Sequence, residues 1–144
     1  MSTQLPSPGE LLPHRGIALA LDELTALEPG VSASGLWTPD ERYFEGHFPD
    51  DAFLPGHWMM ESTALAGACA IIATNPGIRP LFRESHPLYT RQVKPGDTLE
   101  LTAEFTDILR RGGLVLATGS GKATVNGKTV YRALVMKAAW ESES

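Results

Sequence analysis

Two side chains able to move protons stand fourteen positions apart near the middle of the chain. His47 lies in the run Tyr43-Phe44-Glu45-Gly46-His47-Phe48-Pro49, where glycine admits close backbone approach and Phe48 and Pro49 supply a rigid, apolar setting. An imidazole so placed is suited to accept a proton near neutral pH. Glu61 is the only formally charged residue between Gly56 and Ala73. An ionised carboxylate in such a stretch is costly, so a protonated acid or a specific partner is expected. The third element is Gly56, after Pro55, whose N–H would point out of a helix start where developing negative charge is favoured. Each has a plainer alternative: a carboxylate at the helix's exposed edge or in a structural pair, a histidine hydrogen-bonded for structure, and a Pro-Gly step that only opens a helix. Together the three suit proton transfer beside a carbonyl that becomes an oxyanion.

The elements that must hold these groups are legible in outline. Gly56 to Ala73 predicts a helix, opened by Pro55 and stopped by Asn75, Pro76 and Gly77. Its eighteen residues would permit a membrane span by length. His57, Ser62 and Thr63, with a preponderance of alanine and glycine, predict instead a helix buried inside a soluble protein. Small residues at Ala64, Ala66, Gly67, Ala68 and Ala70 let another layer approach its axis closely. Strands are expected over Ala18–Glu28 and Val31–Thr38, joined at Pro29-Gly30. Ile78–Val93 gives mixed signals, and Pro95-Gly96-Asp97 marks a turn. Thr98–Arg110 alternates Leu99, Leu101, Ala103 and Phe105 with polar neighbours and ends at Gly112-Gly113. Leu114–Val125 and Lys128–Trp140 flank Asn126-Gly127, the strongest hairpin signal present, because both central residues of a type I′ turn need positive φ. Glu141–Ser144 reads as a frayed tail. The plan is α+β, one long helix packed on an antiparallel sheet in a single domain over residues 1–144.

Composition narrows the function classes. The chain has 144 residues, 42% hydrophobic and 20% charged, and a net charge of -5, which argues against nucleic acid or an anionic membrane as the main partner. A single cysteine, Cys69, excludes a disulfide framework and a thiolate metal cluster; it reads as core filler. No signal-peptide pattern opens the chain, so a reducing cytoplasm is the expected setting. Gly119-Ser120-Gly121-Lys122 has the wrong spacing for a phosphate loop. Trp37, Trp58 and Trp140 read as packing residues, with Trp58 also placed to line a tunnel.

Leu11-Leu12-Pro13-His14-Arg15, Gly46-His47-Phe48-Pro49, Leu54-Pro55-Gly56, Glu61 and Pro95-Gly96-Asp97, taken together, resemble the hotdog-fold (3R)-hydroxyacyl-[acyl-carrier-protein] dehydratases of the FabZ type over nearly the whole chain. The resemblance implies an antiparallel sheet wrapped around a central helix, and a homodimer, or a higher oligomer built from dimers, in which each site takes His47 from one subunit and Glu61 from the other. It implies that His47 removes the proton alpha to the thioester, its ring oriented by the carbonyl of Phe53, that Glu61 protonates the departing β-hydroxyl, and that Gly56 serves the oxyanion. His57 and Trp58 are placed with Gly56 and Phe53 as substrate-binding candidates. No cofactor or metal is implied. The substrate would be an acyl carrier protein or coenzyme A thioester in fatty-acid or polyketide and polyene-type biosynthesis. Arg79, Arg83, Arg91, Lys94, Arg110 and Arg111 are candidates for docking an acidic carrier.

Three positions depart from that family. Asp50, Asp51 and Ala52 stand where Gly-Asn-Pro is common, Leu65 stands where a glutamine follows the acid, and His57 replaces a small apolar residue. His47, His57 and Glu61 have the ligand types of a two-histidine, one-carboxylate metal site, although the resemblance accounts for His47 and Glu61 without metal. The departures point to a specialised acyl chain. The rival functions are a hotdog acyl thioesterase and a non-catalytic acyl-binding or heterodimer partner.

Overall fold

Asn126 and Gly127 carry φ of 50° and 79°, the pair of positive values the type I′ turn requires, and they fix the register of the two strands that close the chain. The computed structural model describes residues 4–141; the expectation of fraying beyond Glu141 lies outside the described residues. In chain order the elements are α1 (Pro8–Leu11), β1 (Glu23–Glu28), β2 (Ser32–Trp37), α2 (Gly56–Thr74), β3 (Leu81–Tyr89), β4 (Leu99–Arg111), β5 (Leu114–Val125) and β6 (Lys128–Glu141). They build one six-stranded sheet in the order β1-β2-β4-β5-β6-β3, antiparallel at every junction. This is the hotdog α+β architecture, the sheet curling about α2.

Period-two alternation explains which face meets the helix. Leu99, Leu101, Ala103 and Phe105 of β4 and Val115, Ala117 and Ala123 of β5 are all buried, while their neighbours face solvent. The helix buries Met59, Ser62, Thr63 and the run Leu65–Ile72, and each large aliphatic side chain so removed from water contributes about 1.5–3 kcal/mol. Close approach is set by small residues on both layers. A Cβ at Gly121 of β5 would fall 2.5 Å from Thr63 Cγ2, so glycine is what lets α2 sit this near the sheet. Two buried hydroxyls find acceptors: Ser62 Oγ donates to the Ala20 carbonyl at 2.5 Å and Thr63 Oγ1 to that of Met59 at 2.8 Å. No helix among the described residues is long and apolar enough to cross a membrane.

Two stretches differ from the expectation. The first strand begins at Glu23 rather than Ala18, because Gly16–Ala18 form a single 3-10 turn and the Ala20 carbonyl accepts from Ser62; only at Asp22, whose N–H donates to Leu36 O, does the chain join β2. The mixed region holds β3, which tolerates Pro87 and two register shifts because it lies at the end of the sheet order and one of its sides needs no ladder partner. At the N-terminal end, Arg15 gathers the carbonyls of Gly9, Leu12 and His14 within 3.0 Å, an anchoring role for the Pro13-His14-Arg15 motif.

Candidate active site

The loop carrying His47 is rooted in an aromatic stack. Tyr43 is clasped edge-on between Trp37 and Trp58, with centroids 4.9 and 4.8 Å away, and its hydroxyl donates to the Ile17 carbonyl at 2.6 Å. Beyond it the backbone folds on itself. His47 N–H donates to Phe44 O at 3.1 Å, Phe53 N–H donates to His47 O at 2.9 Å, and Phe48 and Asp51 exchange bonds at 3.2 Å. The peptide between His47 and Phe48 is cis.

His47 Nδ1 lies 2.9 Å from the carbonyl oxygen of Phe53. A carbonyl only accepts, so Nδ1 carries the hydrogen and donates it, and Nε2 keeps its lone pair for a proton. The ring stacks on Phe48 and meets Phe53 edge-on, each at 4.6 Å. This is an imidazole with one tautomer selected and its orientation fixed.

Helix α2 starts at Gly56 with Pro55 as a cap that offers no side-chain hydrogen bond; Trp58 N–H donates to Pro55 O at 3.1 Å, and the N–H groups of Gly56 and His57 have no capping side chain. The Tyr89 ring lies directly against Gly56: a Cβ there would be 2.9–3.2 Å from three of its carbons. Around this point opens a cleft of about 570 Å³ bordered by Phe53, Gly56, His57, Met59, Tyr89 and Arg91. Phe53 and Gly56 thus share one cleft; His47 does not border it, its ring being held at the carbonyl of Phe53, which does. His57 sits exposed at the rim, tilted over Trp58 at 5.5 Å. Trp58 does not border the cleft; its ring completes the stack on Tyr43.

Glu61 opens elsewhere. It is only partly exposed and borders a second cleft of about 370 Å³ with Met60, Ala64, Phe82, Ser85 and Met136, beneath β3. It therefore sits at the edge of the helix rather than deep in the core, and in one chain it shares no cleft with His47. Leu65, one turn on, is 2% exposed and belongs to the core. Among the described residues no three His, Cys, Asp or Glu side chains gather as a metal set.

The added negative charge near the loop is partly neutralised, because Lys94 Nζ lies 3.0 Å from Asp51 and 6.0 Å from the Phe53 ring centre. Of the six basic candidates, Arg91 borders the Gly56 cleft, Arg83 borders the Glu61 cleft, and Arg79 lines a separate one with His14 and Ala68. Arg110 and Arg111 end β4. Cys69 is wholly buried, and burial pushes its thiol up to about 12, which suits packing and not nucleophilic work. Sequence reasoning missed Tyr89 and Ser85. Both depend on the β3 register, which Pro87 and the two bulges conceal.

Comparison with known proteins identifies the family and the fold. The FabA-like domain family matches residues 12–134. The 3-hydroxyacyl-[acyl-carrier-protein] dehydratase FabZ of Halalkalibacterium halodurans is 42% identical over 126 residues, covering 84% of this chain and 87% of its own. That of a Roseiflexus species is 39% identical, covering 88% and 89%. Among solved structures, the dehydratase heterocomplex ApeI:P from Xenorhabdus doucetiae superposes with a TM-score of 0.76 at 10% identity, covering 98% of this chain and 94% of that one. A hypothetical thioesterase with coenzyme A from Streptococcus pneumoniae gives 0.62 at 12% identity, covering 85% and 88%. At such identities the two structures speak for the fold alone, whereas the sequence matches speak for descent: the chain belongs to the FabA-like family, as a FabZ-type dehydratase relative.

Proposed function

We propose that the protein removes water from a (3R)-hydroxyacyl thioester carried on acyl carrier protein, giving the trans-2-enoyl thioester, in fatty-acid biosynthesis in the cytoplasm. The observation that carries this reading is the 2.9 Å contact between His47 Nδ1 and the Phe53 carbonyl, which leaves Nε2 as a base beside the cleft at the head of α2. Nε2 takes the proton from the carbon next to the thioester. The electron pair moves toward the thioester oxygen, where the Gly56 N–H stabilises the developing charge by about 3 kcal/mol if it behaves like other oxyanion donors. The carbon–oxygen bond then breaks, and Glu61 gives its proton to the departing hydroxyl, which leaves as water. Positioned acid and base groups each contribute about 10² to 10⁴ in rate.

The two groups meet across a dimer. β3 ends the sheet order, so its outer edge is open to pair with β3 of a second copy, and Leu81, Leu88 and Tyr89 on it are exposed apolar residues. Such an isologous joint brings His47 of one protomer to the Glu61 cleft of its partner. His57 at the rim and Arg91 beside Gly56 are placed to receive the carrier's arm, and Trp58 supports the His47 loop through Tyr43.

The test is a panel of 3-hydroxyacyl thioesters followed by mass spectrometry for loss of water and by a thiol-reactive dye. Water loss without free thiol, abolished by His47→Ala and by Glu61→Gln, is the expected result. Thiol release in place of water loss would identify a thioesterase, and no reaction with any carrier or coenzyme A substrate would leave an acyl-binding partner as the better reading.

A further inference from the structure

Among the described residues, Ser85 Oγ and the Tyr131 hydroxyl are shut away from solvent without a hydrogen bond of accepted geometry. Burying such groups is costly, so a pair of them in one place asks what they serve.

Their place follows from the packing of β3 along α2. The Phe82 ring lies against Gly67 and the Tyr89 ring against Gly56, so strand and helix run in opposite senses, and Ser85 falls abreast of the middle of that interval. There it borders the same cleft as Glu61 and Ala64. Tyr131 comes from β6, opposite Tyr89 in register, with the two rings 5.4 Å apart. It is wholly buried. Its hydroxyl adjoins Ser85 closely enough that Ser85 opposes the upward push of burial on the phenol. The helix offers the carboxyl little in exchange: one turn on stands apolar, buried Leu65, and one turn back stands His57, tilted over Trp58. On the strand, Glu84 is already taken by Lys137 at 2.9 Å and His86 at 3.5 Å.

We propose that Ser85, itself oriented by Tyr131, is the positioning residue for the Glu61 carboxyl. The Tyr131 O–H donates to Ser85 Oγ, and the Ser85 O–H donates to the Glu61 oxygen turned away from the substrate. The other oxygen is thereby presented to the departing hydroxyl. As Glu61 gives up its proton, the bond from Ser85 becomes charge-assisted and strengthens, so it acts at the step where water leaves and not in substrate binding. This deepens the dehydratase reading and rests on it.

The experiment uses the full chain with 3-hydroxydecanoyl-N-acetylcysteamine as substrate and compares Ser85→Ala, Ser85→Thr and Tyr131→Phe. In Ser85→Ala and Tyr131→Phe, kcat falls about tenfold or more while KM stays within about twofold, and Ser85→Thr, which restores the hydroxyl, recovers most of the loss. A second readout needs no substrate. The carboxyl stretch of Glu61, isolated by subtracting the infrared spectrum of Glu61→Gln, shifts in Ser85→Ala and returns in Ser85→Thr. An unshifted band with unchanged kcat in Ser85→Ala overturns the proposal, and equal losses in Ser85→Ala and Ser85→Thr reduce Ser85 to packing. A band that shifts in Ser85→Ala while the wild-type protein removes no water refutes the dehydratase reading separately. Ser85→Ala and Ser85→Thr carry the test even if Tyr131→Phe does not fold.

Discussion

A methyl group at position 56 has no room while Tyr89 stays where it is. In Gly56→Ala the new Cβ would lie 2.9, 3.0 and 3.2 Å from three carbons of the Tyr89 ring, against an ordinary carbon–carbon separation of about 3.5–4.0 Å. The ring must retreat by at least about half an ångström. Because the atoms met are the ring of a rotatable side chain on the end strand of the sheet and not backbone, the ring can yield, which puts the cost near the low end for overpacking, about 1 kcal/mol. In a chain of this size that is about 3 °C in Tm. Activity suffers more. The methyl crowds the first N–H of α2 and the displaced ring narrows the cleft, so loss of the amide's contribution to the oxyanion lowers kcat by about 100-fold. A double-mutant cycle with Tyr89→Leu separates the two effects. Calorimetry on the four proteins should show the stability penalty of Gly56→Ala vanishing once the ring is gone, while the rate of enoyl formation stays low because the methyl remains. A penalty of equal size in both backgrounds would refute the packing argument, and full activity in Gly56→Ala would refute the role of the helix start.

Two further outcomes follow from the core. In Gly121→Ala the added carbon meets Thr63 Cγ2 at 2.5 Å and Met136 Cε at 3.2 Å, so urea midpoints should report a loss of about 1–3 kcal/mol, relieved by Thr63→Ser, which removes the methyl and keeps the bond to Met59 O. Cys69 holds its proton up to about 12 when folded, whereas an unfolded thiol releases it near 8.5. Stability from this source is whole below that lower value and is lost as pH rises toward the upper one. Urea unfolding at pH 8 and pH 10 should therefore differ by about 2 kcal/mol more in wild-type protein than in Cys69→Ala, and equal slopes would contradict the burial assignment.

How far the sequence could be read depended on whether a feature was local. Asn126-Gly127, the alternation from Leu99 to Phe105 and the Pro55 to Asn75 bounds of the helix are set by neighbours along the chain, and all three appear where the pattern places them. β3 was illegible for the opposite reason. Pro87 and two bulges break its periodicity, and it is a strand only because β6 pairs with it. The start of β1 was overextended because Gly16–Ala18 turn as a 3-10 helix and the Ala20 carbonyl is claimed by Ser62, a residue far off in sequence. At the site, the Gly-His-Phe-Pro run and the Pro-Gly step pointed to His47 and Gly56 and the family resemblance to Phe53; the structure puts Phe53 and Gly56 on one cleft and the His47 ring against the Phe53 carbonyl. For Glu61 the pattern left two places open, an apolar pocket or the helix's exposed edge, and the residue stands half-buried at that edge. Tyr89 and Ser85 reach the clefts, and Tyr131 comes to lie against Tyr89, through strand register, which no local pattern encodes.

The central claim is that His47 and Glu61 act on one thioester from different protomers, and mixing inactive chains tests it most directly. His47→Ala and Glu61→Gln chains are each unable to complete a site alone. Unfolded together in equal amounts and refolded, they should form hybrid dimers in half of the population, each with one intact site and one doubly damaged site, so dehydration should recover to about a quarter of the wild-type rate. A mixture no more active than its two parents, with hybrid dimers verified by native mass spectrometry, would contradict the account.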